Sequence, residues 1–253
     1  RGKGGPSPGA DAVKAELEGR SAYMRQILAD REKYGPMLLD LAPQIATFNP
    51  VNMDQVVVFM AEVERRLGRL SDERMVLKGE AFAGLWPEGR LETFREAIAR
   101  RLELEGLLAG MDPSGAAWGG VRGTVRSELQ HAVEKFENVS AALETFRRGQ
   151  DDLERKFRAD RIPFDFARVK KVQVGAVGLA KYAMNMVLTS HQGLLDKDTP
   201  PEQAAAQIDT LAEPALRFAF RCHQFAGGEA LSLPCLLSLA LSPSPSHLLS
   251  PTL

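Results

Sequence analysis

A long apolar seam in the second half of the sequence limits most strongly what this chain can fold into. Its positions lie alternately three and four residues apart, and eight of the nine are apolar. They are Leu129, Ala132, Phe136, Val139, Leu143, Phe146, Gln150, Leu153 and Phe157. This spacing is typical of a helix that packs along one face against another helix. A continuous helix over these positions would be about 43 Å long.

Three further segments carry helical stripes. An N-terminal helix is predicted from about Ala10 to Lys33, ending at the "YGP" that follows. In the second segment, "VVVF" at 56–59 resembles a strand in isolation, but the heptad pattern around it favours a helix. The third follows Pro87, a residue that suits the first position of a helix. The stripes of the second and third segments are Val56, Met60, Val63, Leu67, Leu70, Arg74 and Leu77, and Leu91, Phe94, Ile98, Leu102 and Leu108.

These stripes determine the predicted fold class. Each large apolar side chain left in water forfeits about 1.5–3 kcal/mol of burial, so a long helix with a narrow seam needs a second helix, from this chain or from another copy. We therefore predict an all-α, elongated bundle of long amphipathic helices, completed in a homodimer. Residues 1–9, mostly Gly and Pro, are interpreted as a linker remnant, 10–228 as the helical domain, and 229–253 as a disordered tail rich in Ser, Pro and Leu.

The titratable residues do not follow a catalytic or metal-binding pattern. The four histidines are far apart in sequence: His131, His191, His223 and His247. Cys222 is adjacent to His223, so on a helix the two side chains point about 100° apart. Gly175 and Gly178 lack the GxGxxG pattern of a cofactor loop, and a close approach between helices explains them better. We expect no cofactor, no metal and no enzymatic activity, and the net charge of −1 argues against nucleic-acid binding by bulk charge.

A basic cluster from Arg155 to Lys171 contrasts with the nearly neutral chain. It holds seven basic and two acidic residues. Within it, "RIPFDF" at 161–166 supplies an apolar edge and Pro163 a rigid break between helices, while "VQVGAV" at 172–177 resembles a strand before the sequence becomes clearly helical. Basic residues around an apolar anchor are typical of a docking surface for an acidic partner, and an ordinary solvated face is the alternative. The candidate partner-binding residues are Arg161, Ile162, Arg168, Lys170 and Lys171, with Arg217 and Arg221 as a second set that salt bridges fixing the last helix explain equally well.

Five segments occur in an order and spacing that point to a known family. They are "DERMVLK" at 72–78, "WPEGRLETFREA" at 86–97, "RIPFDF" at 161–166, "VQVGAVGLAKYAMNMV" at 172–187 and "LRFAFRCHQFAGG" at 216–228. Together with "LEGRSAYMRQILAD" at 17–30, they resemble the C-terminal domain of the plant chloroplast unusual positioning family. The resemblance covers about residues 15 to 228, and the "FAFRCHQFAGG" block is its most specific element.

The resemblance implies a function for the helical domain. It implies a module similar to the formin homology 2 domain, which promotes actin filament nucleation and assembly for chloroplast movement and anchoring. Actin would then contact the candidate residues named above, and profilin would bind an upstream proline-rich segment whose last remnant is "GGPSPG" at 4–9. A sister branch of the family acts at microtubules, and a passive helical scaffold is a further alternative.

The resemblance also implies a location. Full-length family members lie at the cytosolic face of the chloroplast outer envelope, held by an N-terminal anchor that we expect to lie outside this sequence. The chain itself is expected to be soluble, because no stretch approaches the ~20 apolar residues of a membrane span. After Gly228 the sequence departs from the family pattern, so we expect a truncation or a changed reading frame from about Glu229.

Overall fold

The part of the chain that the structure describes is built from helices. The computed structural model describes residues 8–119, 123–195 and 200–228. Within these residues there is no strand, so the predicted all-α class is confirmed. The α-helices are α1 (Pro8–Thr47), α2 (Met53–Leu67), α3 (Glu73–Leu77), α4 (Glu88–Gly110), α5 (Val125–Arg148), α6 (Gln150–Ala159), α7 (Ala167–Leu195) and α8 (Pro201–Phe225). The predicted tail and residues 1–7 of the predicted linker lie outside the described residues.

Helix α1 continues beyond the end predicted from the sequence. It runs through the "YGP" and a second internal proline to Thr47. A proline inside a helix costs about 3 kcal/mol. However, Leu38, Leu41 and Ile45 in the added turns are at most 1% exposed. Burial of three such side chains contributes about 4.5–9 kcal/mol in total and offsets the cost of about 6 kcal/mol for the two prolines, so the helix continues.

The seam over 129–157 is buried as predicted, but it belongs to two helices. Each of its eight apolar side chains is at most 8% exposed. α5 ends at Arg148, and the N–H of Gly149 donates to the carbonyl of Phe146 at 3.1 Å in place of a helical bond. α6 then begins at Gln150. The heptad pattern therefore predicted the buried face correctly but missed the interruption within it.

The second stripe is also divided. "VVVF" is helical as predicted, and α2 buries Val56, Met60, Val63 and Leu67. The chain then turns, and the carboxylate of Asp72 caps α3 by accepting from the N–H of Met75 at 2.8 Å. Two short helices thus replace the continuous one that the stripe up to Leu77 indicated.

The third stripe is buried only in its first half. Leu91 and Phe94 at the start of α4 are at most 1% exposed, whereas Leu102 and Leu108 near its end are 61% and 37% exposed. Leu104 is buried there instead. The last turns of α4 therefore present aliphatic side chains to solvent.

The described residues form two compact units. Unit 1 comprises residues 8–99 and 154–164, and unit 2 comprises 100–153 and 165–228, within the described ranges. In unit 1, an aromatic cluster occupies the core, where the rings of Phe48 and Phe59 stack at 3.9 Å and Phe94 meets both edge-on. Helix α1 is also tied to the residues around α3, because Asp30 accepts from the N–H and the hydroxyl of Ser71, both at 2.7 Å.

Unit 2 is centred on three long helices. α7 packs along α8, and α5 packs against both. Their interface holds apolar side chains that are at most 2% exposed, among them Leu143, Leu179 and Phe218. At Gly175, an added Cβ would lie only 3.1 Å from Cβ of Met111. The lack of a side chain at Gly175 therefore allows the segment after α4 to pack closely against α7. None of the described helices is long and apolar enough to span a bilayer.

Candidate partner-binding surface

The link between α6 and α7 lies where the sequence predicted a break. α6 ends at Ala159 and α7 begins at Ala167, with Pro163 between them. Arg161 in this link is exposed and has a φ of 56°, in the left-handed region that non-glycine residues seldom adopt. The backbone reverses here, so that the N–H of Ile162 donates to the carbonyl of Phe157 at 2.8 Å.

Ile162 is not the exposed anchor that the sequence suggested. Its side chain is only 6% exposed, in the core of unit 1. The neighbouring ring of Phe164 is half-buried and packs 5.1 Å from the ring of Phe157. The expected exposure of Ile162 is therefore wrong, because the apolar part of "RIPFDF" completes the core instead of lining a surface.

The predicted basic cluster is divided between the two units. Arg155, Lys156, Arg158 and Arg161 belong to unit 1, whereas Arg168, Lys170 and Lys171 belong to unit 2. In unit 1, the ammonium of Lys156 pairs with Glu96 on α4 at 2.5 Å. Each unit thus carries its own part of the basic cluster.

On α7, two of the three predicted residues hold the fold of unit 2. Arg168 pairs with Glu105 of α4 at 2.9 Å, and Nζ of Lys170 donates to the carbonyl of Ala226 at 2.8 Å. Lys171 differs from both, because its side chain is 63% exposed and lies 3.8 Å from the carboxylate of Asp165. Among the predicted residues of α7, Lys171 is thus the best placed for an outside partner.

The second predicted set on α8 also separates into two roles. Arg221 pairs with Glu137 of α5 at 3.0 Å, and its guanidinium lies 5.4 Å from the ring of Phe136. This contact is the salt bridge fixing the last helix that the sequence analysis gave as an alternative. Arg217 is 78% exposed and pairs only with Glu213 of its own helix, at 2.5 Å, among the contacts described. An exposed pair of this kind contributes little to stability, so Arg217 is available to a partner.

A buried carboxylate that sequence reasoning missed organises one end of unit 2. Glu128 on α5 is 2% exposed and accepts from the indole N–H of Trp118 at 2.6 Å and from the hydroxyl of Tyr182 at 2.7 Å. The carbonyl of Trp118 lies 2.9 Å from Nε2 of His131. Burial, aided by the hydrogen bond to Glu128, raises the pKa of Tyr182 to about 12. The only sequence signal was that Glu128 stands four residues before the seam position Ala132, on the buried side of the helix.

A cleft of about 630 Å³ lies in unit 1 beside the start of α4. Its lining includes Glu73, Trp86, Glu92 and Arg95. The guanidinium of Arg95 donates to Glu73, to Glu92 and to Glu64 on α2, and these hydrogen bonds raise the pKa of Arg95. One guanidinium thus bridges carboxylates of three helices, and the network holds α2, α3 and α4 together.

The cysteine and histidine near the end of α8 do not form a metal site. Cys222 is fully buried, and burial raises the pKa of its thiol to about 12. A thiol with so high a pKa is unreactive at neutral pH. Among the residues that the structure describes, no group of three or more His, Cys, Asp or Glu side chains is arranged to hold a metal ion.

Comparison with known proteins gives a relative but no function. No protein-family model matches the chain. The chain is similar to "Uncharacterized protein At4g04980" of Arabidopsis thaliana, with 28% identity over 229 residues. The match covers 90% of this chain and 30% of the relative, so the chain spans less than a third of that protein's length.

Proposed function

We propose that this chain is an actin-binding module that promotes the nucleation and assembly of actin filaments at the chloroplast surface, for chloroplast movement and anchoring. The resemblance over residues 15–228 supports the actin and chloroplast parts of the proposal. In the longer protein, profilin would bind an upstream proline-rich segment, and the membrane anchor would precede it. The proposed module acts by binding and not by catalysis.

The structural observation that carries the proposal is the charge of α7. Its 29 residues hold four cations and no carboxylate. Arg168 and Lys170 contact groups of unit 2, whereas the side chain of Lys171 is largely exposed, as is that of Arg217 on α8. Exposed cations of this kind accelerate encounter with an acidic surface and select it over basic ones. Lys171 and Arg217 are therefore the residues through which we expect actin to be contacted, and Arg161 is the candidate in unit 1.

Nucleation follows if the module pairs with a second copy. The first subunits of a filament meet too weakly to persist, and a homodimer that holds two of them makes the second contact intramolecular. This raises the effective concentration to the millimolar range without new chemistry. Buried helical seams such as that of α5 supply the rigidity that such a frame needs.

The charge of Lys171 and Arg217 gives the first test. The double variant Lys171→Glu, Arg217→Glu is expected to co-sediment with actin filaments about tenfold more weakly than the wild type, because two attractive charges become repulsive. The double variant Arg65→Glu, Arg148→Glu is the matched control, since it changes the charge by the same amount. Both arginines are exposed, at 55% and 74%, and each pairs with a glutamate of its own helix. The control is expected to bind normally, and circular dichroism should be unchanged in both.

The same sedimentation experiment separates the alternatives. Equal weakening by Arg65→Glu, Arg148→Glu would show that only bulk charge matters and would remove the assignment of Lys171 and Arg217. Sedimentation with microtubules but not with actin filaments would assign the chain to the microtubule branch. A wild-type chain that sediments with neither would be a passive scaffold.

A further inference from the structure

No neighbouring atom of unit 2 accounts for a glycine at position 178 of α7. A glycine within a helix is destabilising relative to alanine, and a close contact with a neighbouring segment is one reason for its presence. Gly175, one turn earlier, has such a contact with Met111. At Gly178, in contrast, an added Cβ would have no atom within 4 Å, and the residue is exposed. The close helix approach predicted for both glycines is thus confirmed at Gly175 and absent at Gly178.

The surface around Gly178 is apolar and partly uncovered. Val174, four residues before it on the same row of the helix, is 51% exposed. Leu108 of α4 is 37% exposed, and its Cδ1 lies 3.8 Å from the position of a Cβ on Gly175. Tyr182, four residues after Gly178, is half-buried. The missing side chain therefore leaves a gap between Val174 and Tyr182, with Leu108 nearby at the edge of the same face.

Two lysines flank this gap. Lys171 stands three residues before Val174 and Lys181 three residues after Gly178, so both lie near the same row. No ion pair of Lys181 is among the described contacts, and α7 itself has no carboxylate. Ten residues of helix separate the two lysines, a rise of about 15 Å. A partner that matches both lysines and the gap must therefore be elongated, apolar in the middle and acidic towards both ends.

We propose that this face of α7 is a docking surface for an amphipathic helix of another protein, with aliphatic side chains flanked by carboxylates. Gly178 is the point of closest approach, where the partner's backbone can come near that of α7. Val174 and Leu108 receive the aliphatic side chains, and Lys171 and Lys181 pair with the carboxylates. The inference does not depend on actin being the partner, since it concerns the chemistry that this face recognises.

The test uses a fluorescent synthetic peptide and the whole chain. The probe is an alanine-based helical peptide of about 18 residues, with two leucines on one face flanked by two glutamates about 15 Å apart. Its isomer with lysines in place of the glutamates is the charge control. Fluorescence anisotropy is expected to show binding of the glutamate peptide at roughly micromolar concentrations and at least about tenfold weaker binding of the lysine isomer.

Two matched variants locate the site. Gly178→Leu fills the gap and is expected to weaken binding of the glutamate peptide by about tenfold or more. Gly106→Leu on α4 is the control, because Gly106 is also exposed with nothing within 4 Å of an added Cβ, and it lies on the other side of α4 from Leu108. Since leucine favours helix more than glycine does, neither variant is expected to lower the thermal midpoint.

Several results would overturn the proposal. They are a glutamate peptide that fails to bind up to about 1 mM, equal binding of the lysine isomer, and unchanged binding to Gly178→Leu. Light scattering can give one further result of this kind. If the wild type is a dimer and Gly178→Leu a monomer, the occupant is a second copy of this chain and not an acidic helix of another protein. If Gly178→Leu selectively loses binding of the glutamate peptide and its molecular mass is unchanged, the proposed docking of an acidic helix is supported.

Discussion

Replacement of Phe94 by alanine is expected to lower the free energy of unfolding by about 3–5 kcal/mol, one of the two largest effects that we predict for a single substitution. The ring of Phe94 is fully buried, and it meets the rings of Phe48 and Phe59 edge-on at 5.8 and 6.3 Å. The guanidinium of Arg90 lies 5.3 Å from the same ring and donates to the carbonyl of Phe48. Truncation would leave a cavity where helix α4 meets this aromatic cluster.

The measurement is urea unfolding followed by circular dichroism. Leu85→Ala is the control in the same unit, because Leu85 is a large aliphatic residue that is 62% exposed. Its removal is expected to change the free energy of unfolding by less than about 0.5 kcal/mol. Similar losses for the two variants would mean that the aromatic cluster is not the core of unit 1.

Replacement of Glu128 by alanine is expected to destabilise the protein by about 2–4 kcal/mol, because the indole N–H of Trp118 and the hydroxyl of Tyr182 both lose their acceptor. Each buried donor left without a partner costs about 1–3 kcal/mol. Glu128→Gln keeps an amide oxygen as an acceptor and is expected to lose about half as much. A loss below about 1 kcal/mol for the alanine variant would show that this buried carboxylate is dispensable.

Tyr182 gives an independent measure of the same contact. Its pKa is about 12, against about 10 for an unfolded tyrosine, so the protonated phenol is favoured in the fold. The resulting stability is fully present below pH 10 and is lost as the pH rises through 12. In Glu128→Ala the pKa of Tyr182 should fall but stay above 10, because burial, its main cause, remains. Phenolate absorbance against the other two tyrosines measures the change. An unchanged titration would contradict the assigned contact.

Apolar periodicity predicted the helices well because burial follows it directly. All eight apolar positions from Leu129 to Phe157 are buried, and "VVVF" is helical despite its β-branched residues. The pattern failed where a local preference competed with packing. Proline at position 36 predicted the end of α1, but the apolar residues beyond it are buried and the helix continues. Gly149 had the opposite effect, ending a helix inside an unbroken heptad pattern.

A stripe of apolar residues in the sequence also does not show whether another helix covers it in the fold. Leu102 and Leu108 continue the face of α4 that begins with Leu91, yet they are exposed while Leu91 is buried. Val174 on α7 is exposed in the same way. Helical spacing fixes which residues share a face, but how far a neighbouring helix extends along that face depends on tertiary packing.

The candidate site was predicted only in part. The sequence indicated a helix for the basic residues of α8, but it left those of α7 in an irregular stretch before the strand-like "VQVGAV". That expectation is wrong, because residues 167–195 form one helix. The sequence also contained no information on the partners of these residues. Arg221 pairs with Glu137, which is 84 residues away, and Arg168 pairs with Glu105, 63 residues away. Ile162 was predicted to be exposed because it lies among charged residues. The reversal of the backbone at Arg161 instead directs the side chain of Ile162 into the core. Such long-range pairs and reversals are set by the fold and not by local composition.

The lag of actin polymerisation tests the central claim most directly. Purified chain at about micromolar concentration is added to monomeric actin that carries a fluorescent reporter, and the mass of the chain is measured by light scattering in the same buffer. A module that holds two actin subunits together is expected to shorten the lag in proportion to its concentration. Lag curves that coincide with and without the chain would contradict the proposed function.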